Sequence, residues 1–216
     1  MLKNIINIRK TNIINLGFIY DKNILANEIY KITQSFSKKI ILPGANTTLY
    51  NNTTGWEGIP LKNDTGNIGS DGLKFSGSKN TLGQGNIETI YLKNSKVFLD
   101  IIKKIETKFK TKVGFTRILK LNKGGYIAPH HDGAMFNKTI YRCHIPIITK
   151  YPDVFMTING SNYFMKPGNL YITNVSKIHS VTNNSNIDRI HIVLDLQPSN
   201  TLLSYMLKAI YMKPIN

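Results

Sequence analysis

Short runs of alternating apolar and polar residues between positions 113 and 197 constrain the fold of this chain more than any other feature. Successive side chains of a strand point to opposite faces of its sheet, so each run predicts a strand with one buried face. We expect seven strands, at residues 114–121, 139–147, 154–158, 162–165, 170–174, 179–183 and 188–196. Asn159-Gly160 predicts a tight hairpin between the third and fourth strands. Many short, evenly spaced strands are typical of a sandwich or a barrel.

Segments whose apolar residues recur at helical spacing flank this β-rich segment on both sides. It predicts one helix over residues 23–36, a second that begins after Ser95, and a third that begins after Asn200. Amphipathic helices of this kind bury their apolar stripe against a core. We therefore expect a mainly β fold with flanking α-helices.

A long stretch rich in Gly, Asn, Thr and Ser occupies residues 44–85, between the first two predicted helices. It contains the only tryptophan, Trp56. Because long loops in compact domains are usually functional, we expect this stretch to be a lid or a wall over a ligand. Trp56 is its candidate substrate contact.

These patterns predict a single domain over residues 1–216. The length suits one domain, and a hydrophobic fraction of 41% supplies a core. We expect a helical and loop-rich part at 1–112, a β core at 113–197 and a C-terminal helix at 200–212.

The chain is strongly basic, with 28 Lys and Arg against 12 Asp and Glu and a net charge of +16. A basic chain keeps a nucleic-acid partner open. However, only four of these residues are arginines, and the lysines are spread along the sequence. Abundant Ile, Lys and Asn with little Arg is typical of an A+T-rich viral or microbial genome. Codon bias and a function of the charge both stay open as explanations, and nucleic acid is not the favoured partner.

The single cysteine, Cys143, excludes a disulfide framework and a cysteine-based zinc site. No run of about 20 apolar residues is present to span a membrane. The apolar run at the start of the chain is broken by Asn, Arg and Lys, unlike that of a secretory signal. We expect an intracellular, cytoplasmic protein without a membrane partner.

All the histidines of the chain gather in one part of the β-rich segment, at His130, His131, His144, His179 and His191. On an extended chain, His130 and Asp132 face the same way while His131 faces away. Two histidines and one carboxylate on one side of a metal form the facial triad of non-haem Fe(II) oxygenases. The pair therefore needs one further histidine, and His179 lies on a separate predicted strand.

Two of the four arginines lie on polar strand faces, each two residues from a histidine. Arg142 shares a face with His144, and Arg189 shares one with His191. A buried arginine needs an anionic partner, and its planar fork suits a carboxylate. For Arg189 that carboxylate belongs either to a ligand or, in a structural salt bridge, to an acid such as Asp195 or Asp188.

The order of these groups resembles the aspartyl/asparaginyl β-hydroxylase family of Fe(II)/2-oxoglutarate-dependent oxygenases. The resemblance covers residues 118–197: the approach to His130, the strand over 142–147, and the spacing from His179 to Arg189. It extends weakly to residues 56–61, which are similar to an upstream segment of small microbial relatives, some of which hydroxylate free proline. The mammalian membrane-anchored members carry glycine where Asp132 stands here, so this chain is more similar to bacterial, phage-type and free-amino-acid members.

The resemblance implies a double-stranded β-helix, or jelly roll, of the cupin-like type. It implies that His130, Asp132 and His179 hold Fe(II) and are the catalytic centre, and that Arg189 binds the distal carboxylate of 2-oxoglutarate. Arg142 and His144 would meet the other carboxylate of 2-oxoglutarate or a carboxylate of the substrate.

The reaction implied is hydroxylation of a carbon with O2, coupled to decarboxylation of 2-oxoglutarate to succinate. We expect a small carboxylate-bearing substrate, an amino acid that is free or part of a peptide, in contact with Trp56, Arg142 and His144.

Three rival interpretations stay open. A cupin-type metalloenzyme would use the same histidines but has no need of Arg189 at this spacing. A binding module of the same fold would have lost catalysis, against which the intact His130, Asp132, His179 and Arg189 argue. A nucleic-acid-acting oxygenase would explain the positive charge but needs an aromatic platform for bases, which the sequence does not reveal.

Overall fold

The computed structural model of the chain describes residue 8 and residues 10–35, 54–68, 85–132 and 140–211. The strands in these ranges are β1 Ile13–Phe18, β2 Thr54–Asn63, β3 Ile87–Glu88, β4 Val113–His130, β5 Tyr141–Ile148, β6 Val154–Ile158, β7 Ser161–Tyr163, β8 Asn169–Thr173, β9 His179–Asn183, β10 Arg189–Leu196 and β11 Ile210–Tyr211. The helices are α1 Lys22–Ser35, α2 Ile90–Lys93, α3 Lys96–Phe109 and α4 Asn200–Lys208.

The described strands form one continuous antiparallel sheet. The long strand β4 takes part in two layers of it, which we call the larger and the smaller sheet. Its first part, residues 113–121, pairs with β10 on one side and with β2 on the other. Its last part, residues 126–130, pairs with β9, and Tyr126 also pairs with Thr54 at the start of β2. Between the two parts lies Gly124, whose φ of 70° is in the left-handed region that glycine adopts without strain. The strand can therefore bend here and leave one sheet for the other.

Two antiparallel layers, the larger and the smaller sheet, result from this bend. The larger one runs β11-β1-β8-β5-β10-β4-β2-β3, and the smaller one runs from the end of β4 through β9 and β6 to β7. Their inner faces pack together, since Leu121 and Tyr171 of the larger sheet share an apolar cluster with Met156, Ile158 and Val181 of the smaller one. This arrangement confirms the predicted double-stranded β-helix.

The two faces of the larger sheet differ in chemistry. The outer face joins the apolar stripes of α1, α3 and α4 in the main core, with Ile118, Cys143, Ile145, Ile192 and Leu194 among its members. The inner face carries buried polar side chains instead, at Arg142, His144, Arg189, His191 and Asp195. Strand alternation sends these two sets to opposite sides of β5 and β10.

Capping interactions explain where the predicted helices begin. The Ser95 hydroxyl accepts a hydrogen bond from the Phe98 amide (3.2 Å) at the start of α3. It also donates to the Glu28 carboxylate of α1 (2.6 Å), which ties the two helices together. The last helix ends at Lys208 and not at 212, because the backbone turns extended at Ala209 and β11 then pairs with β1.

The seven predicted strands are all present, and β4 continues beyond its predicted end at 121 to His130. The Asn159-Gly160 hairpin between β6 and β7 is also confirmed. Four strands were not predicted: β1, β2 and the two-residue strands β3 and β11. Of these, β2 lies inside the stretch predicted to be a loop. Strand β2 is held by backbone pairing to β4, and its Gly58 and Pro60 lower its strand propensity. The lid prediction for residues 44–53 and 69–84 falls outside the described residues.

Among the helices that the structure describes, none is long and apolar enough to cross a bilayer.

Candidate metal centre and anion site

The sheet pairing brings His130, Asp132 and His179 together. His130 ends β4 and His179 begins β9, and the two are direct partners across these strands. Their ring centroids lie 4.2 Å apart, and Nε2 of His130 lies 3.6 Å from Oδ1 of Asp132. One ligand atom from each residue falls within 4.8 Å of the others. His131, between the first two, is exposed.

Both histidines of this triad are oriented by the backbone in the same way. Nδ1 of His130 lies 2.7 Å from the carbonyl oxygen of Ala128, and Nδ1 of His179 lies 3.0 Å from that of Lys177. A carbonyl only accepts, so each Nδ1 carries the proton and donates it. Each Nε2 therefore keeps its lone pair, the arrangement usual for metal-binding histidines.

Asp132 is held at two points. Its backbone amide donates to the carbonyl of Val175 (2.8 Å), and its Oδ2 accepts a hydrogen bond from the Arg142 guanidinium. Burial acts to raise the pKa of this carboxyl, but the positive charge of Arg142 outweighs it, and the net pKa is lowered. Asp132 is therefore ionised at neutral pH, with Oδ1 on the side of the triad.

Arg142 bridges two carboxylates. Its Nε donates to Oδ1 of Asp195 (2.9 Å), its Nη2 to Oδ2 of Asp195 (3.0 Å), and its Nη1 to Asp132. Burial acts to lower the pKa of Arg142, but the two aspartates raise it above its ordinary value. The strand register places Asp195 directly opposite Arg142, which accounts for the fork-like geometry.

Arg189 differs from Arg142 in its surroundings. It is 2% exposed and, among the described residues, has no carboxylate partner; its Nη2 lies 2.9 Å from Nδ1 of His191. Asp195 pairs with Arg142, and Asp188 accepts a hydrogen bond from the Lys123 amide. Burial lowers the pKa of Arg189 to about 9, so it is still a cation at neutral pH. Among the described residues, Arg189 therefore forms a salt bridge with neither Asp195 nor Asp188, the two acids that the sequence offered as partners.

Two neutral histidines lie beside this arginine. The ring centroids of His144 and His191 are 5.7 Å apart and nearly perpendicular. Neither nitrogen of His144, nor Nε2 of His191, has a hydrogen-bond partner in the part of the chain that the structure describes. Burial, reinforced by the charge of Arg189, holds the pKa of both rings well below the ordinary value. We call Arg189, His191 and His144 the anion site.

Trp56 is positioned by β2 on the same inner face. It pairs with Leu121 of β4, and Leu121 pairs on its other side with Arg189 of β10. Side chains directly opposite each other in paired strands lie on the same face of the sheet. Trp56 also packs against Leu119 and Val193 of this face. The structure thus brings Trp56 to the inner wall beside the anion site.

Sequence reasoning gave no role to Arg117 and did not pair Asp195 with Arg142. Arg117 is 7% exposed and lies on the inner face, opposite Val193 of β10 and Pro60 of β2. Its charge contributes to the lowered pKa of both Asp132 and His144. The alternation of Arg117 with Leu119 and Leu121 was the available signal. Three of the four arginines are therefore buried inside the barrel.

Comparisons with known proteins identify a family for this chain. A family model described as aspartyl/asparaginyl beta-hydroxylase matches residues 22–198. A comparison with curated protein sequences finds no match.

Solved structures share the fold at low sequence identity. A 2OG-Fe(II) oxygenase family oxidoreductase from Burkholderia pseudomallei has a TM-score of 0.55 and 12% identity, covering 91% of this chain and 90% of that chain. A non-heme α-ketoglutarate-dependent epimerase of nogalamycin biosynthesis has a TM-score of 0.54 and 10% identity, covering 91% and 81%. A Pseudomonas putida prolyl-4-hydroxylase has a TM-score of 0.51 and 9% identity, covering 91% and 98%.

The fold and the family match define a hydroxylase of the 2OG-Fe(II) oxygenase class. The chain belongs to the aspartyl/asparaginyl β-hydroxylase family, whose model spans most of its length. The resemblance read from the sequence is therefore confirmed at the level of family and fold.

Proposed function

We propose that this protein hydroxylates a carbon of a carboxylate-bearing amino acid, free or in a peptide, and uses Fe(II), 2-oxoglutarate and O2. The observation that carries the proposal is the buried Arg189, a cation without a carboxylate among the described residues. It lies inside the same barrel as a triad of two histidines and an aspartate. A dicarboxylate that bridges the two sites would satisfy both.

His130, Asp132 and His179 would hold the iron. Two Nε2 atoms with lone pairs and one ionised carboxylate suit Fe(II) and leave the opposite coordination positions for other ligands. When bound, Fe(II) supplies the oxidative chemistry that couples decarboxylation of 2-oxoglutarate to hydroxylation. The protein holds these three ligand atoms in place in a largely buried site.

Arg189 would anchor the distal carboxylate of 2-oxoglutarate through two parallel hydrogen bonds. For the second carboxylate, or that of the substrate, the residues predicted are Arg142 and His144. The three nitrogens of Arg142 already donate to Asp195 and Asp132, whereas both ring nitrogens of His144 lack a partner among the described residues. We therefore favour His144 for this contact.

The positive charge inside the barrel favours a substrate that carries a carboxylate. Arg117, Arg142 and Arg189 are buried there, and Asp195 and Asp132 offset part of their charge. Trp56 would form the apolar wall beside the substrate. An amino acid held by its carboxylate presents one fixed carbon to the metal, so that this contact would set which carbon is hydroxylated.

The test is release of succinate together with a hydroxylated product over a panel of amino acids, peptides and methylated oligonucleotides. We expect coupled turnover with one or more carboxylate-bearing amino acids or peptides. Coupled turnover confined to the oligonucleotides would overturn the substrate class and make the net charge of +16 the informative feature. Product formed without loss of 2-oxoglutarate would favour the cupin-type alternative.

A further inference from the structure

The contact between Arg189 and His191 has no role in the function proposed so far. The two residues alternate on β10 and therefore face the same way. Nη2 of Arg189 lies 2.9 Å from Nδ1 of His191, and both side chains are buried, at 2% exposure each. An arginine has a long, flexible side chain, so this contact fixes an orientation that the side chain alone does not.

The contact also assigns the protonation of His191. A guanidinium only donates hydrogen bonds, so Nδ1 of His191 must accept. The ring is then neutral, with its proton on Nε2, in agreement with a pKa that burial and Arg189 hold well below the ordinary value. In the described part of the chain that Nε2 has no hydrogen-bond partner.

The contact occupies one part of the guanidinium and leaves the rest for a ligand. Arginine carries five N–H donors in a rigid fork, and a carboxylate uses two of them in parallel. With Nη2 tied to His191, the fork can turn less freely about the end of its side chain. A ligand carboxylate then meets a donor set that is already oriented, which lowers the cost of binding.

We propose that His191 is a positioning residue that holds Arg189 in the orientation in which it receives a carboxylate of 2-oxoglutarate. This inference rests on the proposed function, because it takes 2-oxoglutarate as the ligand of Arg189. His191 acts through its Nδ1 lone pair, so the side chain that replaces it must offer an acceptor at that position to preserve the effect.

Two substitutions separate this role from simple packing. His191→Leu keeps a side chain of similar size but removes the acceptor, whereas His191→Asn places an amide oxygen near the position of Nδ1. Ile192→Ala is the matched control, since Ile192 is the next residue of β10, equally buried, and faces the outer core. It disturbs the strand without changing the inner face.

The measurement is the dissociation constant of 2-oxoglutarate for the Zn(II)-loaded protein, by isothermal titration calorimetry. The fluorescence of Trp56, the only tryptophan, gives a second signal from the same wall. Because Zn(II) supports no turnover, the result is independent of activity. Steady-state kinetics with Fe(II) then divide the effect between KM for 2-oxoglutarate and kcat.

We expect His191→Leu to weaken 2-oxoglutarate binding by about tenfold or more, and His191→Asn to stay within about threefold of the unaltered protein. KM for 2-oxoglutarate should rise in His191→Leu while kcat at saturation changes little. Ile192→Ala should lower the melting temperature without changing the dissociation constant.

Unchanged binding in His191→Leu would overturn the inference, as would equal weakening in both His191 variants, which would make ring shape and not the acceptor the cause. These outcomes leave the proposed function standing. Failure of the unaltered protein to bind or consume 2-oxoglutarate would instead overturn the proposed function itself.

Discussion

The metal centre and the anion site occupy the same barrel but differ in how their polar groups are satisfied. In the metal centre, carbonyl oxygens orient both histidines and Arg142 ties Asp132 to Asp195. In the anion site, Arg189 contacts His191, and three histidine nitrogens have no hydrogen-bond partner among the described residues. A buried polar group without a partner costs about 1–3 kcal/mol.

The two sites therefore differ in how far the protein alone satisfies their polar groups. In the proposed function, the protein alone orients the metal ligands, whereas a bound molecule would complete the anion site. Substitutions of Arg142 and Arg189, which looked alike in the sequence, should therefore have opposite effects on the stability of the ligand-free protein.

The largest effect is expected for Arg142→Met. Removing this cation leaves the charge of Asp195 buried at 2% exposure without its partner. Loss of one partner of a buried ion pair costs about 3–5 kcal/mol, so the free energy of unfolding in urea should fall by this amount. The double variant Arg142→Met with Asp195→Asn should recover part of the loss. Unaltered stability in the single variant would contradict the bridge.

Next in size is the loss of metal binding in His130→Ala and His179→Ala. Changes to residues that only support a metal ligand cost 10–100-fold in affinity, so removing a ligand should cost about 100-fold or more. His131→Ala is the control, because His131 is exposed and outside the triad. Calorimetric titration with Fe(II) under anaerobic conditions measures all three. If His131→Ala loses the metal and His130→Ala keeps it, the assignment of Asp132 also fails.

Arg189→Met tests the other side of the comparison. It removes a buried cation without a carboxylate partner among the described residues, so the ligand-free protein should become more stable by about 1–3 kcal/mol. In the proposed function, 2-oxoglutarate should stabilise the unaltered protein but not this variant, which lacks the proposed anchor. Arg189→Lys should keep the metal but bind 2-oxoglutarate markedly less well, because an ammonium cannot form the two parallel bonds. Destabilisation of Arg189→Met as large as that of Arg142→Met would show that Arg189 has a structural partner.

The smallest effect concerns pH. The pKa of His144 and of His191 is lowered in the folded state, so below the unfolded value of about 6.5 the unfolded chain binds more protons. Stability should therefore fall as the pH drops from 6.5 to 5.5, by roughly 1 kcal/mol for each ring. Urea unfolding at the two pH values measures this.

The double variant His144→Asn with His191→Asn should lessen the pH dependence and leave the part due to His179, whose pKa is lowered to about 4. The exposed His131→Asn should not change it. The same slope in all three proteins would place the acid sensitivity elsewhere.

Local sequence patterns were enough to predict the features that depend on neighbouring residues. Period-two alternation predicted the strands of the β core, since the direction of a side chain on a strand is set locally. The same rule placed His130 with Asp132, and Arg189 with His191, on common faces. Ser95 marked the start of α3 because capping needs only the first turn of the helix.

The contacts between groups on different strands followed from sheet register and could not be predicted from local patterns. The register between β5 and β10 set Asp195 opposite Arg142, and Arg189 met no carboxylate in the described chain. Strand β2, which carries Trp56, forms through backbone pairing with β4 and needs little alternation of its own. Partners that lie 50 or more residues apart depend on register and sheet order, which local periodicity does not contain.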